Sequence, residues 1–215
     1  MNNILHRLLA SVAFLSILQV VNSAEAATRF RANLDGSQVV PSSGSNASGL
    51  ATFELNEAQT ALDYFIQLEG VSLKPDITDR TEPEDVDKIH LHFGEAGANG
   101  PHVLNIFGLP SEDDDDLMID FDAGTISGTW EDSDAINPET GELFDPTAMG
   151  TTKLLSNFVD EIFTNQLYIQ VHTLEFPGSG AIRGQITGVP EPSSLFGLSF
   201  IVGLGLLSTK KVKFQ

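Results

Sequence analysis

Leu62-Asp63-Tyr64-Phe65-Ile66-Gln67-Leu68 decides the fold. Leu62, Tyr64, Ile66 and Leu68 recur at every second position against Asp63, Phe65 and Gln67, the period of a strand with one face on a core. The pattern repeats outward in both directions. Phe30 to Leu34 and Leu50 to Leu55 alternate before it. Val86 to Phe93, Val103 to Phe107, Leu117 to Phe121, Thr125 to Trp130, Leu167 to Thr173 and Ala181 to Thr187 follow. Short runs bounded by Gly, Pro, Asn or Asp predict an all-β chain, a Greek-key-like β-sandwich of about eight strands. One segment departs from period two. Within about 151–164, Leu154, Leu155, Phe158, Val159 and Ile162 fall on one helical face, which predicts a short helix in a connection. Trp130, the only tryptophan, is expected in the core.

Period two also sorts the polar side chains. Ile89, Leu91 and Phe93 share one face of their strand, so His90 and His92 share the other. Ile169 and Val171 leave Tyr168, Gln170 and His172 opposite, and Ile182 and Ile186 leave Arg183 and Gln185 opposite. If these strands are neighbours, His90, His92, His172 and Arg183 form a patch on the face away from the apolar core.

The chain has no cysteine, which removes disulfides, thiolate metal sites and cysteine nucleophiles from consideration. Its formal net charge is −19. Such a surface repels nucleic acid and attracts cations or basic partners. The acids gather in Asp76 to Asp87, Ser111 to Asp116 and Glu131 to Asp145, among Pro75, Pro83, Pro110, Pro138 and Pro146, and so read as loops. Asp113, Asp114, Asp115 and Asp116 offer oxygens to calcium. They lack the spaced ligands and shaping glycine of a dedicated site, and a solvated acidic loop is the simpler expectation.

Both ends read as processing segments. Residues 1–26 carry His6 and Arg7, an apolar stretch from Leu8 to Val21, and Ala24-Glu25-Ala26, an A-x-A cleavage site. The domain then occupies 27–188. In 189–215, Pro190-Glu191-Pro192 precedes the apolar run Leu195 to Leu207 and then Lys210, Lys211 and Lys213. That run is shorter than the ~20 residues an α-helix needs to cross a bilayer. This tail resembles the PEP-CTERM sorting signal of exported bacterial envelope proteins. The resemblance implies export through the inner membrane and transient contact with it through the tail. It also implies cleavage by an exosortase-type enzyme and delivery to the cell surface or extracellular matrix. Loss of Arg7, the three tail lysines and Glu25 would take the net charge from −19 to about −22.

The middle of the chain resembles the CHRD (chordin-type) domain. The likeness rests on Phe30 to Pro41, Ala47 to Phe53, Ile89-His90-Leu91-His92-Phe93-Gly94, Asn99-Gly100-Pro101, Ile126 to Trp130, Tyr168 to Thr173 and Ala181 to Ile186. It implies a β-sandwich of the extracellular or envelope space and no particular reaction. The expected role is a non-enzymatic interaction module whose partner is an envelope polysaccharide or a surface protein.

A second likeness lies inside the first. His90 and His92, then Gly100-Pro101-His102, then Val171-His172, then Arg183 follow the order of the copper site in Cu,Zn superoxide dismutases. It implies four imidazoles for copper and an arginine that steers an anion or touches a partner. No further histidine stands between His102 and His172 to build a zinc subsite, and the bracing disulfide of that family is missing. The alternative to an interaction module is therefore a copper-binding, redox-active protein.

Overall fold

The computed structural model describes residues 28–108, 116–145 and 150–190. Ala24, Ala26, Glu191, Pro192, the apolar run behind them and Asp113 to Asp115 lie outside the described residues. Pro190 and Asp116 lie within.

The fold is all-β. Among the described residues ten strands pair into one antiparallel sheet: β1 (Thr28–Asp35), β2 (Ser48–Leu55), β3 (Ala61–Glu69), β4 (Val86–Phe93), β5 (His102–Gly108), β6 (Met118–Asp120), β7 (Thr125–Glu131), β8 (Leu167–Thr173), β9 (Ile182–Gln185) and β10 (Thr187–Gly188). The spatial order is β5-β4-β8-β9-β1-β2-β3-β7-β6, with β10 also on β1. Hydrogen bonding is continuous across the β9–β1 join, where Asp35 pairs with Arg183. The two halves of the expected sandwich are thus one curled sheet, and its shortest strands are β6 and β10.

Among the described residues the curl encloses one apolar cluster. β1, β2 and β3 give it Phe30, Leu34, Phe53, Leu55, Leu62, Tyr64 and Ile66; β4, β8 and β9 give Ile89, Leu91, Ile169, Val171 and Ile182. The alternation of β3 holds: its four apolar partners are buried, and Asp63, Phe65 and Gln67 are exposed. Trp130 is fully buried, and its indole N–H donates to the Lys153 carbonyl at 2.9 Å. The predicted helix is shorter than its pattern. A 3-10 turn at Leu155–Asn157 precedes a five-residue α1 (Val159–Phe163). Phe158, with φ −125° and ψ 6°, separates them, because that conformation cannot continue a helix. Phe158 still packs on the core, its ring 5.9 Å from Trp130.

β8 differs from β3 in being buried at every position. Loops 94–101, 150–153 and 174–180 cover the second face of β4, β5, β8 and β9 and hydrogen-bond to its side chains. The histidines and Arg183 do share the face opposite Ile89 and Leu91, but that face is roofed and not open to solvent.

Candidate metal centre

Three adjacent strands build the centre. Period two on β4 places His90 and His92 on the roofed face, ring centroids 5.7 Å apart. β5 runs antiparallel beside β4 with His102 opposite His92, after register shifts between Ile89 and His90 and between Leu91 and His92. His102 lies 3.9 Å from His90 and 4.4 Å from His92, centroid to centroid. On the other flank β8 sets His172 opposite Lys88, 5.5 Å from His90 and 6.4 Å from His92. One nitrogen each from His90, His92 and His102 lies within 4.8 Å of the others. Among the described residues this is the one such convergence of histidine, cysteine or carboxylate donors.

Backbone carbonyls fix the tautomers of two rings. His92 Nδ1 is 3.0 Å from the Gly100 oxygen, and His172 Nδ1 is 3.2 Å from the Pro177 oxygen. A carbonyl only accepts, so in the neutral ring the proton sits on Nδ1 and the lone pair on Nε2. Nε2 of His92, Nε2 of His172 and Nδ1 of His102 are buried without a hydrogen-bond partner. A buried polar atom with no partner costs on the order of 1–3 kcal/mol, so native structures contain few. Burial pushes the His92 ring down to about 3 and the His172 ring to about 4, with Lys88 adding to the effect at His172. His102 is lowered as well, first by burial and then by Lys88 and Lys153. The rings are therefore neutral at physiological pH and keep the lone pairs that metal ligation requires.

Arg183 lies beside the centre, though not as a surface charge. It is 1% exposed, and its guanidinium stacks on the Tyr168 ring at 3.4 Å. It donates to the Ala98 and Glu95 carbonyls at 2.8 and 2.9 Å. Those contacts hold it within the protein. Of the four aspartates, Asp116 is exposed and accepts the Thr129 backbone N–H at 2.9 Å. Sequence reasoning gave no part to Tyr168 or to the Gly100 and Pro177 carbonyls. Tyr168 carried a signal, since it shares the β8 face with His172, while a carbonyl has no signature in side-chain pattern.

A curled antiparallel sheet with buried imidazoles under a loop roof defines a small all-β domain whose polar centre is internal. The chain belongs to the CHRD domain family, whose model matches residues 30–186. No curated protein matches it.

Proposed function

We propose that this chain is an exported, non-enzymatic CHRD module that binds one transition-metal ion, copper foremost. His90, His92 and His102 would be its ligands, and His172 the fourth. One observation carries the reading: Nε2 of His92 and of His172 are buried lone pairs without partners, while Nδ1 of each ring is tied to a carbonyl. This is how protein ligands are oriented by their outer-shell partners. An all-imidazole donor set with neither thiolate nor carboxylate suits copper, zinc or nickel, and among divalent ions copper is bound most tightly. Titration of the full chain with Cu(II) against a competing chelator tests it. One equivalent should bind, and His102→Gln should weaken binding by more than the ~10–100-fold that loss of an outer-shell partner costs. Equal affinity in the two proteins would remove the reading.

A second role draws on a different surface. Phe65 and Leu50 are 45% and 43% exposed on the outer face of β2 and β3. That face suits contact with an envelope polysaccharide or surface protein, and Phe65→Ser should lower retention of the protein on the cell surface. Unchanged retention would count against it.

A further inference from the structure

A buried guanidinium without a carboxylate is costly, and this acidic chain has acids to spare. Among the described residues no ion pair involves Arg183. Its charge is instead met by the Glu95 and Ala98 carbonyls, the Gln185 amide oxygen at 3.3 Å and the Tyr168 ring. A Leu or Met could fill the same volume, so the arrangement calls for another reason.

The contacts lead to His92. Glu95 and Ala98 belong to the loop that continues through Asn99 and Gly100 into Pro101 and His102. Tyr168 lies between Arg183 and His92, its ring stacked on the imidazole at 4.8 Å and 7°. The Tyr168 hydroxyl accepts the Gly100 N–H at 3.1 Å, and the Gly100 carbonyl accepts from His92 Nδ1. One guanidinium therefore braces both the ring that flanks His92 and the loop that holds its proton. The loop is tight at its two ends: a Cβ on Gly100 would lie 1.6 Å from the Phe93 oxygen, and one on Gly94 would lie 3.2 Å from Tyr168.

We propose that Arg183 is a positioning residue for the histidine centre, acting through Tyr168 and the 94–101 loop to hold His92 as the Nδ1–H tautomer with Nε2 as its ligand atom. Its consequence for affinity rests on the metal-binding reading; its effect on His92 does not. His172 takes no part in this circuit, since Pro177 holds its proton, and it serves as an internal control.

The test uses the full chain with Arg183→Met, which keeps bulk without charge or donors, and Arg183→Lys, which keeps charge but lacks the planar two-nitrogen fork that meets the Ala98 and Glu95 carbonyls. Long-range 1H–15N spectra of the metal-free imidazoles at neutral pH report each tautomer. Wild type should show His92 and His172 as single Nδ1–H forms. In Arg183→Met, His92 should become a tautomer mixture while His172 stays unchanged, with Arg183→Lys between the two. Cu(II) affinity should fall in the same order, by ~10–100-fold for Arg183→Met. A folded Arg183→Met with His92 still in one tautomer overturns the proposal, as does equal loosening of His92 and His172. If Arg183→Met does not fold, Tyr168→Phe removes only the Gly100 contact. His92 should then lose its single form, and an unchanged His92 signal again overturns the idea. If wild type binds no copper, the metal reading fails while the tautomer result still decides the role of Arg183.

Discussion

The imidazole of His102 lies 3.9 Å from that of His90, centroid to centroid, although they sit on different strands and are not register partners. The register shifts on either side of His90 and Leu91 bring them together. A bulge re-aims a side chain at the cost of a ladder bond, and such features gather near functional sites.

The buried rings set a pH dependence. Folding lowers the His92 and His172 values from 6.5 to about 3 and about 4. Between the ordinary histidine value and these, the unfolded chain binds more protons than the folded one. Their contribution is thus fully present above about pH 6.5 and is lost as pH falls through about 4 for His172 and about 3 for His92. Denaturant unfolding of the metal-free protein across that window should show His172→Gln with a shallower slope than wild type, by up to ~1.4 kcal/mol per pH unit. Identical slopes would mean that His172 titrates normally.

Gly100 leaves no room for a side chain. Its Cβ would strike the Phe93 oxygen, so Gly100→Ala must displace backbone on the loop that roofs His92. Thermal and denaturant unfolding should show a loss of about 3 kcal/mol or more, the range of core and backbone disruptions. Gly97→Ala is the comparison on the same loop. Gly97 has open space around its Cβ but a φ of +82°, so only backbone strain should appear, on the order of 1 kcal/mol. Equal losses would show that the close approach at Gly100 does not matter.

How much was legible follows from what a sequence pattern encodes. The β3 alternation, the shared face of His90 and His92 and the buried Trp130 were all readable, because period and local neighbours determine them. The burial of that face was not readable. Tyr168, Gln170 and His172 look like a solvated stripe, and only the paths of loops 94–101 and 174–180 turn it into an interior. Arg183 looked like a surface charge for the same reason. The meeting of His102 with His90 depends on register shifts, to which hydrophobic periodicity is blind. The segment at 154–162 kept its apolar face but not its helix length, since Phe158 adopts a turn.

The ends yield a processing prediction. If the tail is cut near Pro190-Glu191-Pro192 and the leader after Ala26, protein recovered from the cell surface should lack Lys210, Lys211 and Lys213 and should begin at Ala27. Intact-mass measurement decides it. A species carrying the chain through Gln215 would point to an uncleaved anchor.

The acidic run Asp113 to Asp116 should bind calcium no better than magnesium. Asp116 is exposed and already serves the Thr129 N–H. Millimolar Ca²⁺ should therefore raise the Tm no more than Mg²⁺ does, because only an ion that prefers the folded state stabilises it. Selective stabilisation by Ca²⁺, abolished when Asp113 to Asp116 become asparagine, would reverse this expectation.

Nitrogen counting tests most directly whether the histidines of β4, β5 and β8 hold a metal ion. The full chain, produced with copper supplied and purified without chelator, should contain about one copper per molecule. Its Cu(II) electron paramagnetic resonance spectrum should show superhyperfine splitting from three or four nitrogens, and one fewer in His92→Gln. A chain that leaves purification without metal and takes up no Cu(II), or a spectrum unchanged by His92→Gln, would contradict it.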